Sequence, residues 1–286
     1  MKIVAIDSSG LVASVAVTED DNLIAEYTTN YKKTHSQTLL PMLDEVKKMI
    51  ELDLSTLDAI AVSAGPGSFT GLRIGSATAK GLGLALNKPL IGVPTVDALA
   101  MNLYGTDQII CPLMDARRSQ VYTGIYRFVP VNKSGTEHTA SPRDTQDTLE
   151  IQYSLDILEP QCVVPVEEIT DKLNRLPGDA GVIFLGDGVP VFREKLAELM
   201  RRPYTFAPAL CNRQRAAAVA VLAAGYAKEG KMVPAYAYVP EYLRPSQVER
   251  ERSEARKMAG EQAGDAMMSK GTFSKQKKSG SGESGG

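Results

Sequence analysis

The sequence has few of the residues that build covalent or metal-bound frameworks. Its 286 residues include three cysteines and two histidines. Cys111, Cys162 and Cys211 are far apart and form no C-x-x-C pair, which argues against a disulfide framework and against a zinc site. His35 is followed four residues later by Leu39, where a helical two-histidine site needs its second ligand. We therefore predict no metal site and a reducing compartment, and we interpret His35 as a residue at the start of a helix or in an interface.

Excess charge and long apolar runs are also missing. The formal net charge is −2 and the isoelectric point is about 5.9, which gives no electrostatic basis for binding RNA without a partner that supplies basic surface. No apolar run reaches the roughly 18 residues that indicate a membrane span. The opening MKIVAIDSS is typical of a strand entering a turn rather than of a signal peptide. With 43% hydrophobic and 23% charged residues, the composition predicts a globular cytoplasmic protein.

The hydrophobic pattern predicts an α/β protein made of two related halves. Three strands precede the first helix, over Lys2–Ile6, Val12–Val17 and Leu23–Thr28, which excludes a simple alternation of strands and helices at this end. The first strand ends at Asp7. The same order of strand, aspartate, polar turn and returning strand occurs again at Asp115, which indicates an internal repeat.

The stretch Ala59–Leu86 is the centre of the predicted organisation. It begins as an apolar strand, turns at Gly65-Pro66-Gly67 and continues as a helix with four glycines. Each helical glycine costs about 1 kcal/mol relative to alanine, so a compensating contact is expected. Small residues recur every fourth position on one ridge, where another backbone can approach closely: Gly71, Gly75, Ala79 and Gly83. The polar residues of this helix form one narrow, solvent-facing strip: Arg73, Ser76, Lys80 and Asn87.

Three interpretations of this glycine-rich helix stay open. It can be a core helix covered by its own chain, or part of its cover can come from a second polypeptide. A phosphate site at the turn is a third interpretation, but the glycine spacing fits neither the dinucleotide fingerprint nor the Walker motif.

A second amphipathic helix is predicted from about Ser36, as its cap, to Ile50. Its apolar residues cover about half of the helical circumference, which is wide for a surface helix. These residues are Leu39, Leu40, Met42, Leu43, Val46, Met49 and Ile50. Pro41 lies one turn inside this segment, so the helix is expected to start closer to it.

Asp7 and Asp115 are the best candidates for acid–base or magnesium chemistry, because each ends a predicted strand. An aspartate that bonds its own turn is the commoner structure. Two catalytic signatures, G-x-S-x-G around Ser284 and S-x-x-K at Ser274–Lys277, fall in a Gly/Ser-rich tail and lack the folded context that they need.

The chain is expected to divide into an N-terminal half (1–105), a C-terminal half (106–245) and a tail (246–286). The tail changes from charged to Gly/Ser-rich and is predicted to be disordered, because it holds too little apolar surface to fold. Residues 131–155 are polar and turn-rich and predict an exposed excursion.

Five motifs together resemble the bacterial TsaB family, also called YeaZ. They are GPGSFTGLRIG at Gly65–Gly75, IDSS at Ile6–Ser9, HSQTLLP at His35–Pro41, MDARRSQVY at Met114–Tyr122 and PEYLR at Pro240–Arg244. The resemblance covers about residues 1 to 245. It implies the two-halved α/β fold of the actin, Hsp70 and hexokinase superfamily.

The resemblance also implies a function. The family takes part in making threonylcarbamoyladenosine at position 37 of tRNA, where TsaB is a non-catalytic subunit that pairs with TsaD and is joined by TsaE. ATP and metal are then expected on the partner subunits, tRNA binding only through the complex, and a homodimer when the chain is alone. The expected partner-binding residues lie on the two helices: His35, Leu39, Leu40, Leu43, Val46, Gly71, Arg73, Gly75, Ala79 and Gly83.

Two other functions are kept as alternatives. An ATP-dependent phosphotransferase of the same superfamily would use Asp7 and Ser9 on phosphates and Asp115 as base. Ser9 stands where the superfamily's phosphate hairpin usually has glycine, which weakens this reading. A peptidase is an old family label for which the sequence outside the tail shows no catalytic motif.

Overall fold

The first of two mixed sheets is built from the N-terminal part of the chain. The computed structural model describes residues 1–131 and 152–244. Strands β1 (Lys2–Asp7), β2 (Ala13–Glu19), β3 (Asn22–Thr29), β4 (Ala59–Gly65) and β5 (Leu90–Pro94) form this sheet. Their order is β3-β2-β1-β4-β5, with β1 to β3 antiparallel and β4 and β5 parallel to β1. The three strands predicted before the first helix are confirmed.

The second sheet repeats this arrangement. Its strands are β6 (Ile109–Asp115), β7 (Gln120–Val131), β8 (Gln152–Pro165), β9 (Val182–Leu185) and β10 (Tyr204–Phe206). Their order is β8-β7-β6-β9-β10, with an antiparallel pair on one side of β6 and a parallel pair on the other. Each strand of the first sheet therefore has a counterpart in the second, and the predicted pair of related α/β halves is confirmed.

The repeat extends to the turns. Asp7 Oδ1 accepts a hydrogen bond from Ser9 N at 2.9 Å, and Asp115 Oδ1 accepts one from Arg117 N at 2.7 Å. Each aspartate thus closes the turn after the first strand of its half. The residue that ends β4, Gly65, and the residue after β9, Gly186, both adopt left-handed backbone, with φ of 118° and 107°, which favours glycine at the same corner of both halves.

Six α-helices within residues 1–131 and 152–244 flank the sheets. They are α1 (His35–Met49), α2 (Phe69–Leu86), α3 (Thr95–Ala100), α4 (Val166–Arg175), α5 (Val189–Leu199) and α6 (Ala216–Lys228). Apolar residues of α1 and α2 share one core with β1, β2 and β4, and α6 packs on the opposite face of that sheet. Helices α4 and α5 cover the second sheet. Among residues 1–131 and 152–244, no helix is long and apolar enough to cross a membrane.

Helix α6 is held to the first sheet by polar contacts as well as by alanines. Its first N–H groups have no intrahelical acceptor. Ala216 N donates to Ser14 Oγ at 2.9 Å, and Ala217 N donates to Glu26 Oε1 at 3.1 Å. Arg215 forms an ion pair with the same carboxylate. Helix α6, which lies late in the sequence, therefore completes the N-terminal half. The domain boundaries drawn from the sequence, 1–105 and 106–245, stay a prediction.

Two local expectations need correction. Helix α1 begins at His35 after Thr34, so Ser36 is inside the helix rather than its cap, and Pro41 is accommodated within it. Strand β8 begins at Gln152, so the last residues of the predicted excursion are strand. Their polar sequence predicted a loop because β8 is an edge strand. Its side chains are mostly exposed or half-buried, which suits polar residues. Residues 132–151 and the tail from 245 lie outside the described residues.

The two halves meet at a buried polar pair. Tyr126 on β7 donates a hydrogen bond from its hydroxyl to Asp97 Oδ1 on α3 at 2.7 Å. Tyr126 is fully buried and Asp97 is nearly so, within an apolar cluster that contains Val96, Leu99 and Ile110. Burial raises the pKa of Asp97, and the bond from Tyr126 acts in the opposite direction.

Candidate partner-binding site

The glycine ridge of α2 is covered by the chain itself. A Cβ atom at Gly71 would lie 2.1 Å from Ser8 O, and one at Gly75 would lie 2.3 Å from Ser8 Oγ. At Gly83 it would lie 2.4 Å from the side chain of Leu90. Ser8 Oγ donates to Gly71 O at 2.9 Å. These glycines let α2 approach the β1–β2 turn and β5, so intrachain packing explains the ridge.

The inner face of α1 is covered as well. Leu39, Met42, Leu43 and Val46 are buried in the core against Val15 and other residues of the first sheet. The structure therefore corrects the expected partner surface, because most of it is already buried by the chain. The residues concerned are Leu39, Leu43, Val46, Gly71, Gly75, Ala79 and Gly83.

An apolar groove between α1 and α2 remains open. It has a volume of about 550 Å³ and is lined by His35, Ser36, Leu39, Leu40, Ile74, Ala77, Thr78, Gly81 and Leu82. Leu40 is 53% exposed at its edge. Arg73 is exposed near one end of α2, with its guanidinium carbon 4.1 Å from the centre of the Phe69 ring. Of the predicted partner-binding residues, Leu40 and Arg73 offer the most accessible surface.

His35 connects this groove to the β1–β2 turn. Its Nε2 lies 2.9 Å from Gly10 O. Because a carbonyl oxygen only accepts, Nε2 must carry the proton, which leaves Nδ1 as an acceptor in the neutral ring. His35 is 9% exposed, and Nδ1 has no hydrogen-bond partner among the described residues.

A C-terminal arm, residues 233–242, covers another side of α2. Lys80 Nζ donates to Tyr236 O at 3.1 Å and to Tyr238 O at 3.0 Å. Ser76 is buried. The solvent-facing strip predicted from the polar residues of α2 is therefore partly covered by this arm. Of that strip Arg73 is exposed, and the exposed side of the helix also carries Ala77, Gly81, Leu84 and Ala85.

Comparison with known proteins identifies the family. A family model described as TsaD, tRNA N6-adenosine threonylcarbamoyltransferase, matches residues 22–251. The tRNA threonylcarbamoyladenosine biosynthesis protein TsaB of Bacillus subtilis is 31% identical over 260 residues, which are 90% of this chain and all of that protein. The chain belongs to the TsaB family. The Escherichia coli protein of the same name is 35% identical over 44% of this chain and 55% of its own length.

Solved structures agree with this assignment. YeaZ from Pseudomonas aeruginosa is 26% identical and superimposes with a TM-score of 0.65 over 85% of this chain and 99% of that one. A second structure from this organism, titled as an uncharacterized protein with similarity to peptidase YEAZ, matches with the same values.

The phosphotransferase alternative needs a phosphate site at the β1–β2 turn, but the residues there do not fit one. Asp7 and Ser9 are 1% and 0% exposed. Asp7 Oδ1 is occupied by Ser9 N and by Ser9 Oγ, at 2.9 and 2.7 Å. Ser68 N donates to Ser9 O at 2.7 Å, and a Cβ at Gly67 would lie 2.3 Å from the same oxygen. The start of α2 thus closes over the turn, and a phosphate would have to displace it.

Asp115, the third residue of the phosphotransferase alternative, is engaged in its own turn. Its carboxylate accepts from the backbone and side chain of Arg117, and its N–H donates to Asp187 Oδ1 at 3.2 Å. Burial raises the pKa of Asp187. Within residues 1–131 and 152–244, no group of three or more His, Cys, Asp or Glu side chains could hold a metal ion.

The sequence pattern located both helices but placed the expected partner contacts on the ridge of α2 that the chain itself buries. The exposed small residues Ala77, Gly81 and Ala85 also recur every fourth position, and this signal was present in the sequence. Periodicity alone gave no way to decide which of two such stripes the sheet covers. The C-terminal arm has no helical periodicity, so the sequence did not show that it packs beside α2.

Proposed function

We propose that this chain is the non-catalytic subunit of a complex that transfers a threonylcarbamoyl group to adenosine 37 of tRNA, and that it pairs with TsaD through the α1–α2 groove. TsaE joins this pair, and tRNA is bound only through the complex. The observation that carries the proposal is the open apolar groove on a chain of the TsaB family. In the absence of TsaD, the same face pairs with a second copy of the chain.

The size of the exposed face supports pairing when the arm is included. At 1.5 Å per residue, α1 and α2 are about 22 and 27 Å long. Two such helices side by side offer on the order of 500 Å² to one partner, whereas a standard interface buries about 800 Å² per partner. Tyr236 and Val239 of the arm are 73% and 71% exposed beside α2. Their side chains extend the apolar surface toward the standard size, so we include the arm in the docking face.

The closed β1–β2 turn supports a non-catalytic role. The backbone and side-chain donors of Ser9 are used inside the turn, and α2 occupies the space above it. ATP and metal are accordingly assigned to the partner subunits. Calorimetry with ATP and magnesium on the purified chain tests this point, with no binding heat expected; tight binding would favour the phosphotransferase alternative.

The pairing is tested by coexpression with TsaD and TsaE, size-exclusion chromatography and a tRNA modification assay that omits each component in turn. Leu40→Asp places a charge at the groove and is expected to abolish copurification with TsaD and the modification. Val221→Asp is the matched control, because Val221 is 54% exposed on α6, on the other face of the sheet, against 53% for Leu40. Both variants should unfold at the wild-type temperature. Copurification of Leu40→Asp at wild-type yield would contradict the proposal.

A further inference from the structure

The turn between β6 and β7 has a strained backbone. Arg117, Arg118 and Ser119 adopt left-handed conformations in succession, with φ of 62°, 54° and 58°. Gln120 N donates to Arg117 O at 3.1 Å, which makes the two residues between them the central pair of a hairpin turn. Such turns with positive φ at both central positions strongly prefer Asn-Gly, because other side chains are strained in left-handed backbone. The chain therefore keeps arginine and serine here at a cost in stability.

This turn is open, whereas the corresponding turn of the N-terminal half is closed. There, Ser68 N at the start of α2 donates to Ser9 O at 2.7 Å, and Ser9 is fully buried. In the C-terminal half, the chain that enters α5 contacts the strand instead of the turn, since Gly188 N donates to Leu113 O at 2.9 Å. Residues 117–119 are all exposed. The second turn thus presents its side chains to solvent.

The open turn carries hydrogen-bond donors that the chain does not use. Within residues 1–131 and 152–244, the Arg118 guanidinium and the N–H groups of Arg118 and Ser119 have no acceptor. Arg117 donates from its backbone N and from its side chain to the Asp115 carboxylate, at 2.7 and 3.0 Å, which holds the turn in place. Its side chain is still 86% exposed, and a guanidinium has five N–H donors. Arginine side chains and backbone N–H groups together are typical donors to phosphate oxygens.

We infer that the turn at residues 117–119 binds a phosphate group of the tRNA backbone. Small phosphate ligands bind in concave pockets that bury most of their surface, whereas these two arginines project from an exposed hairpin turn. A nucleic-acid backbone is reached from such a protruding turn, and contacts of this kind position the nucleic acid without reading its sequence. The inference rests on the proposed function. In a chain of net charge −2, two arginines add to the tRNA affinity of the complex rather than bind RNA alone.

The test is a double variant, Arg118→Asn with Ser119→Gly, which supplies the preferred turn residues and removes the unpaired arginine. The Tm of the isolated chain should rise by about 2–4 °C, because the strain is relieved. In the complex with TsaD, the Kd for fluorescently labelled, unmodified tRNA should increase about five- to tenfold at low salt, and the slope of log K against log salt should fall by about 1. Arg201→Asn is the control. Arg201 is also exposed, its side chain has no partner among the described residues, and its replacement should change neither value.

Weaker binding by a more stable protein cannot result from misfolding. If the double variant binds tRNA with the wild-type Kd and salt slope, the phosphate contact is overturned, while unchanged copurification with TsaD leaves the proposed function standing. If the wild-type chain does not pair with TsaD, the proposed function falls and this inference falls with it. Calorimetry of the isolated chain with inorganic phosphate and with ATP is the second arm, and no heat is expected. Binding of either probe to the wild type but not to the double variant would make the turn a site for small phosphates and overturn the tRNA contact.

Discussion

Replacing Gly71 by alanine should destabilise the isolated protein, although alanine is the better helix former. The added Cβ would lie 2.1 Å from Ser8 O, where an ordinary contact needs at least 3.4 Å. The obstacle is a backbone carbonyl in the buried β1–β2 turn, which cannot rotate away as a side chain could. Helix α2 and the turn would therefore have to separate by about 1.3 Å.

The free energy of this change can be estimated from the contacts that the separation strains. Overpacking of a well-packed site costs about 1–3 kcal/mol. The bonds from Ser8 Oγ to Gly71 O and from Ser68 N to Ser9 O are stretched as well, at about 0.5–1.5 kcal/mol each if lost. The higher helix propensity of alanine offsets about 1 kcal/mol of this loss of stability. We expect the free energy of unfolding to fall by about 2–4 kcal/mol.

Urea unfolding of the full chain, followed by far-UV circular dichroism, measures this loss. Gly225→Ala is the control, because it makes the same chemical change in a helix where a Cβ meets nothing. The control should be as stable as the wild type or up to about 1 kcal/mol more stable. If Gly71→Ala unfolded at the same urea concentration as Gly225→Ala, the glycine ridge would not be explained by intrachain packing.

Three further predictions concern other buried groups. Tyr126→Phe should cost about 1.5–3 kcal/mol at neutral pH, because it removes a bond to the buried Asp97 carboxylate. Since burial raises the folded-state pKa of Asp97, folding takes up a proton and stability is lost as pH rises from the unfolded pKa through the folded one. Removing the Tyr126 hydroxyl raises that pKa further, so the stability lost by Tyr126→Phe in thermal unfolding should be smaller in acid than at neutral pH. An equal loss at both pH values would refute this. Glu26→Ala should cost about 2–4 kcal/mol in urea unfolding, because it leaves Arg215 without its ion pair and Ala217 N without its acceptor; an unchanged midpoint would show that α6 docks by its alanines alone. Burial raises the pKa of Cys111 to about 12, so mass spectrometry should find Cys111 alkylated by iodoacetamide only after denaturation.

The architecture could be predicted because strands and helices leave periodic signals. The strand, aspartate and turn at Asp7 and again at Asp115 indicated two related halves, and both aspartates close their turns by the same hydrogen bond. The matching left-handed glycines, Gly65 and Gly186, could not be found in this way. A left-handed backbone position is signalled in the sequence only by a glycine, and glycine also occurs for many other reasons.

The site was harder to predict because burial depends on contacts between distant parts of the chain. Lys80 looked like a solvent-facing residue by its position on the helix, yet it binds carbonyl groups more than 150 positions later. Gly75 looked like a docking position and proved to be a core position. Helical periodicity gives the angle between residues but not the side on which the rest of the protein lies.

The C-terminal arm also protects an edge of the first sheet. Strand β5 is last in its sheet, and its free side is partly closed by Val233, which exchanges hydrogen bonds with Leu90 at 2.8 and 2.9 Å. Further along, Glu241 N donates to Ala64 O at 2.7 Å. A chain shortened before Val233 would leave the backbone of Leu90 unpaired, ready to join strands of neighbouring molecules. Variants that keep the arm, residues 233–242, should therefore stay monodisperse. Variants shortened before Val233 should aggregate even though both sheets are complete.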